Sequence, residues 1–167
     1  VFALVMGARI NGSTSEEAVL HAHETLGGLS AGCNPAHRAP ALAVTLDADI
    51  SELVEVVKAD AALTHYDPLA GDVAAAVAVL CRGLMDGASW EEAKAVAADG
   101  RLPETVAAIA ADSDALPSDG GYAPEVLAAA VYFLDRYPPD VALAAAKTFA
   151  GGANYCPVIV GAFGGAV

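Results

Sequence analysis

The chain has 167 residues and a formal net charge of −13, a field that repels phosphate backbones and excludes nucleic acid as an expected partner. With 56% apolar residues it is too hydrophobic for a disordered chain and long enough for one domain with its own core. Its longest apolar runs, such as 156–167, are short and broken by Pro157 and glycines, so no membrane partner is expected.

No basic segment precedes an apolar one in the manner of a secretory leader. Cys33, Cys81 and Cys156 lie far apart without CxxC spacing. They are expected to be buried, reduced thiols in a cytoplasmic protein. In chain order, Ser15 opens an acidic first turn (Glu16, Glu17) and the stripe Val19, Ala22, His23, Leu26 ends at Gly27–Gly28, as a helix stop requires. Residues 32–40 read as a Gly/Cys/Asn/Pro loop. The apolar run 41–46 fits a buried helix or a strand, and periodicity does not decide between them. Ser51–Glu52 begins a helix carrying Leu53, Val56 and Val57.

Asp67–Pro68 is an N-cap with proline at the first helical position, followed by the apolar face Val73, Val77, Leu80, Leu84 up to Gly87. Ser89-Trp90-Glu91-Glu92 is a capping box opening a helix that ends at Gly100. Pro103–Glu104 starts the next, with Val106 and Ile109 expected inward. Residues 112–121 form a polar loop. Its acids Asp112, Asp114 and Asp119 lack the spacing of a calcium loop and read as solvated. Pro124–Glu125 opens a helix apolar over so wide an arc (Leu127, Val131, Leu134, Val126, Ala130, Phe133) that it is expected to be the central buried one. Pro138–Pro139 breaks the chain before a last pair of helical segments around the Gly151–Gly152 turn. Strands do not alternate with helices, so the fold class is all-α, a compact multi-helix bundle forming one domain over 1–167. Val1 falls in mid-pattern, and further helices are expected upstream.

Three segments carry candidate chemistry. Thr64-His65-Tyr66-Asp67-Pro68 sits at a helix N-terminus, where free N–H groups attract a polar or phosphorylated ligand. The plainer reading is a helix start with His65 in an ordinary loop. Within 32–40, backbone N–H groups and Arg38 could meet a phosphate, or Arg38 could pair with one of the many carboxylates. Residues 150–162 are small and suit a tightly packed C-terminal helix.

Together and in this order, the three segments resemble the ADP-ribosylglycohydrolase family, an all-α group that cleaves ADP-ribose from modified targets with a pair of magnesium ions. Gly32 to Pro40 looks like the family loop Gly-Cys/Asn-Gly-x-x-Met-Arg-x-x-Pro, with His37 in place of Met and one residue fewer. Thr64 to Pro68 matches its Thr-His-x-Asp-Pro segment. Ala150 to Ala166 aligns without gaps to Gly-Gly-Asp-x-Asp-Thr followed by Ile-x-Gly-Ala-x-x-Gly-Ala.

The resemblance implies ADP-ribose or a related nucleotide as ligand, with Asn34, Arg38, Thr64, His65 and Asp67 as binding residues. It implies magnesium as cofactor, yet Gly152 and Asn154 stand where the family has metal-binding aspartates and Tyr155 where it has threonine. The family's Thr-Asp-Asp string is absent from the sequence. Magnesium needs hard anionic oxygens, so no metal ligand is expected in this chain and no catalytic residue is assigned. Two functions follow from the resemblance. One is a hydrolase of ADP-ribosyl N- or O-glycosidic bonds with weak or no activity. The other is a non-catalytic ADP-ribose-binding or assembly module on the same scaffold. A metal-independent enzyme using His37 or His65 as base is a third.

Overall fold

The computed structural model of the protein describes residues 1–110, 116–153 and 155–167. Among the described residues there are ten α-helices: α1 (Phe2–Ile10), α2 (Ser15–Thr25), α3 (Asn34–Thr45), α4 (Ile50–Ala62), α5 (Pro68–Met85), α6 (Trp90–Ala98), α7 (Pro103–Ile109), α8 (Ala123–Arg136), α9 (Pro139–Ala150) and α10 (Tyr155–Gly165). An isolated antiparallel bridge between Gly32 and Tyr122 is the only strand-like pairing among them. The all-α expectation holds. Of the three loop acids, Asp112 and Asp114 lie outside the described residues, as does Asn154.

Local chemistry explains the boundaries. Thr14 with Glu17 and Ser89 with Glu92 form reciprocal capping boxes on α2 and α6, satisfying N–H groups that the first turn leaves free. Asp49 and Asp67 cap α4 and α5. After α2 the chain reverses through Gly27 and Gly28 at φ of 61° and 86°, a backbone that a side chain would strain.

The helix at the centre is α5, not α8. It packs against α3, α4, α6, α7, α8 and α10, and it is buried on nearly all sides from Leu69 to Cys81. The physical reason lies in its composition. Between Pro68 and Cys81 it carries one charge, Asp72, and otherwise small or apolar residues, whereas α8 ends in Asp135 and Arg136 and keeps a wet face. Small residues let neighbours approach closely. A Cβ on Gly71 would lie 3.4 Å from Ala61 of α4, and one on Gly83 would lie 3.3 Å from Ala93 of α6. By length and hydropathy α5 could cross a bilayer, but 78% of that stretch is buried by the other helices.

Asp72 is 2% exposed. Its charge is met by Lys58 Nζ at 3.4 Å and Arg101 Nη1 at 3.5 Å, and it accepts from the Leu102 N–H at 2.8 Å, as a buried carboxylate must. Arg82, near the other end of α5, donates to the carbonyls of Ala43, Leu46 and Ala48. Those carbonyls lie in the last turn of α3 and in the connector to α4, where no further helical turn supplies N–H donors.

Two expectations are corrected. Residues 32–40 are not a loop, because α3 begins at Asn34 with a proline in its first turn and runs through Pro40 to Thr45. That also makes 41–45 helix, with Leu46 as its extended C-cap, and places His37 and Arg38 on α3. On α7, Val106 is exposed while Thr105, Ala108 and Ile109 face inward. The α1–α2 hairpin has a small core of its own, Val5, Ala18, Val19 and Ala22.

Candidate functional site

The start of α3 and the α4–α5 turn face each other. A short backbone ladder holds the approach to α3: Cys33 N–H donates to Gly121 O at 3.1 Å and Ala123 N–H to Ala31 O at 2.9 Å. Arg38 then crosses to α4. Its Nε donates to Asp60 Oδ2 at 2.5 Å and its Nη2 to the Asp60 carbonyl at 2.8 Å and to Thr64 Oγ1 at 3.0 Å. Thr64 Oγ1 lies 2.9 Å from His65 Nδ1.

Four of the five candidate binding residues therefore converge. Asn34, Arg38, Thr64 and His65, with Phe2 and Asp60, line one cavity of about 240 Å³. Asp67 does not join them. It caps α5 by accepting from Leu69 N–H at 3.0 Å and lines a neighbouring cavity of about 380 Å³ with Lys58, Tyr66 and Asp72. His65 borders both cavities. Behind the turn, Ser30 Oγ meets His23 Nδ1 at 2.6 Å and accepts from Asp67 N–H at 3.3 Å. His23 also lies against Tyr66, with ring centroids 4.9 Å apart. These contacts fasten the α1–α2 hairpin beside the cleft.

Burial favours the neutral form of His65 and of His37. Burial, reinforced by the nearby Arg38 charge, pulls His65 down to about 4. Burial also lowers His37, opposed by the bond between its Nε2 and Tyr155 O at 2.9 Å. The three cysteines are buried and free. Burial raises Cys33 and Cys156 to about 11 and Cys81 to about 12, which leaves no thiolate nucleophile at neutral pH.

The C-terminal turn is built differently. Gly152 is exposed and a Cβ there would meet nothing within 4 Å. Tyr155 is half-buried, and its ring covers Gly121, where a Cβ would come within 3.2 Å of it. Among the described residues, no three His, Cys, Asp or Glu side chains gather into a group able to hold a metal ion.

Residues 5–167 match the sequence model of ADP-ribosylglycohydrolase. The chain belongs to the ADP-ribosylglycohydrolase family. A solved structure named ADP-ribosylglycohydrolase-related protein complex is similar to it, with a TM-score of 0.73 at 21% identity. The likeness covers 97% of this chain and 60% of the other. At that identity it shows the fold, and this chain spans about 60% of that protein's length. No curated protein matches the chain.

None of the three sequence motifs contains Asp60. It lies 22 residues from Arg38, in a helix with other acids, Glu52 and Glu55, so no local spacing distinguishes it. Only the folded contact between α3 and α4 singles it out.

Proposed function

We propose that this chain forms an ADP-ribosylglycohydrolase-type cleft that binds ADP-ribose or a related nucleotide, with magnesium-dependent hydrolysis weak or absent in the chain itself. The observation that carries this reading is the convergence of Asn34, Arg38, Thr64 and His65 on one cavity. These are polar side chains on two elements far apart in sequence, brought together where a sugar or phosphate oxygen would find donors.

The donor set does not fit a family-type magnesium pair. Glycine at 152 offers no oxygen ligand from its side chain, and Tyr155 spends its ring on Gly121. Magnesium takes carboxylate and water oxygens in octahedral array, and the described residues supply no such cluster. The bond from His37 Nε2 to Tyr155 O and the low pKa of His65 also speak against a metal-independent base, since a working base titrates near the operating pH. These features favour the recognition module over the hydrolase. Buried free thiols suit the cytoplasm.

Calorimetry with ADP-ribose, with and without magnesium, tests the reading. Saturable binding indifferent to magnesium is expected, together with no magnesium-stimulated release of ADP-ribose from ADP-ribosyl-arginine or ADP-ribosyl-serine. Magnesium-dependent turnover by this chain would sink the dead-site part, and absence of ADP-ribose binding would sink the ligand part.

A further inference from the structure

We infer that Thr64, held by Arg38 and Asp60, is a positioning residue that fixes His65 as a hydrogen-bond donor through Nε2. Arg38 can only donate, so Thr64 Oγ1 accepts its Nη2–H at 3.0 Å. The threonine hydroxyl has one proton to give and two places to send it: Ala61 O at 3.4 Å or His65 Nδ1 at 2.9 Å.

Ala61 O already accepts two backbone N–H groups, from Thr64 at 3.1 Å and His65 at 2.9 Å. A carbonyl has two lone pairs, so the hydroxyl proton goes to the nearer, unfilled acceptor, His65 Nδ1. Accepting a bond from Arg38 polarises the hydroxyl and makes it a better donor, the cooperativity that links such chains. Burial keeps the imidazole neutral, as its lowered pKa of about 4 reflects. A neutral ring whose Nδ1 accepts carries its proton on Nε2.

Nε2 faces Gly32. A Cβ there would stand 3.1 Å from it, so a side chain at this position would crowd the nitrogen of a ring that is 3% exposed and borders both cavities. The Asp60–Arg38–Thr64–His65 chain thus presents an N–H rather than a lone pair. The ligand atom this ring recognises is an acceptor oxygen, such as a hydroxyl, carbonyl or phosphate oxygen. Asp60 acts one step further back by setting the plane of the guanidinium.

The state of the ring is a property of the free protein, and only its use in ligand binding rests on the function proposed above. Nitrogen-15 NMR of the imidazole in the full chain at neutral pH is expected to show His65 protonated on Nε2 and bare on Nδ1. Thr64→Val, which keeps the shape but removes the hydroxyl, is expected to shift the ring toward the Nδ1–H form, and Thr64→Ser to restore Nε2–H. A wild-type ring protonated on Nδ1 overturns the inference whether or not any variant folds. So does a well-folded Thr64→Val protein with an unchanged ring. In ADP-ribose titrations, Thr64→Val is expected to weaken binding about fivefold and Thr64→Ser to recover it, the size of one neutral hydrogen bond. If wild-type protein ignores ADP-ribose while the ring is protonated on Nε2, the ligand reading fails and the positioning role stands.

Discussion

The cleft at the start of α3 and the turn between α9 and α10 both lie in segments that resemble family motifs, and they are constructed in opposite ways. In the first, four polar side chains form one linked chain: Asp60 holds Arg38, Arg38 holds Thr64, and Thr64 meets His65. In the second, Gly152 stands in open solvent and Tyr155 packs its ring on Gly121. The contrast is between a motif fixed by a chain of side-chain bonds and a motif fixed by backbone and ring packing. The frame depends on small residues and helix caps, whereas the chemistry depends on a few side chains that packing does not require.

Four measurements test that contrast. The largest effect is expected in the frame the two regions share. Leu80→Ala, in the middle of α5 and fully buried, should cost about 2–5 kcal/mol by denaturant unfolding, and should melt both regions together. A transition in which one region survives would show that they do not share a core.

The second concerns protons. The folded pKa of His65, about 4, lies below its ordinary 6.5, so between those values the unfolded chain binds more protons. Stability is therefore unaffected above pH 6.5, falls as pH drops through that window, and levels off below pH 4. The total loss should be on the order of 3 kcal/mol. His65→Gln should remove this part of the pH profile, and an unchanged profile would mean that His65 is not buried in solution.

The third is Asp60→Ala, which leaves the Arg38 guanidinium without its carboxylate. Because both side chains are about one-third exposed, water replaces much of the lost pairing. A loss of about 1–2 kcal/mol is expected, alongside a larger fall in ADP-ribose affinity. The smallest effect belongs to the other region. Gly152→Ala should change stability by less than about 0.5 kcal/mol, since its φ is not in the left-handed region and a Cβ meets nothing. A large loss there would show that the turn is as tightly specified as the cleft.

Much of the helix order can be read from the sequence because caps act locally. Ser89 with Glu92, Asp67 before Pro68, and Gly27–Gly28 declare their boundaries within one turn. The start of α3 is hidden by the composition of 32–40, where glycine, asparagine and two prolines suggest a loop. Pro35 fits a first helical turn, and Pro40 lies in a helix that packs as a whole on α5, a tertiary effect that no window of sequence contains. The rank of α5 above α8 is obscured for a related reason. A single buried charge such as Asp72 makes a helix look half-wet until Lys58 and Arg101 are seen around it. In the cleft, Thr64 and His65 stand out through a motif, while Asp60 depends on a contact between helices. The resemblance implies Asp67 as a binding residue, and its placement in the neighbouring cavity is a matter of which way a helix cap faces.

The run of alanines through the middle of α5 sets how the protein tolerates change. Ala74, Ala75, Ala76 and Ala78 are all completely buried, so the helices around them are seated at nearly backbone-to-backbone range. In most cores, trimming a large residue is the damaging direction. Around these positions the asymmetry is reversed: there is little volume left to delete, and each added methyl group must push a whole helix outward, at about 1–3 kcal/mol each. Drift along this lineage would therefore be steered toward keeping α5 small, and sequence variety would collect on the outer helices.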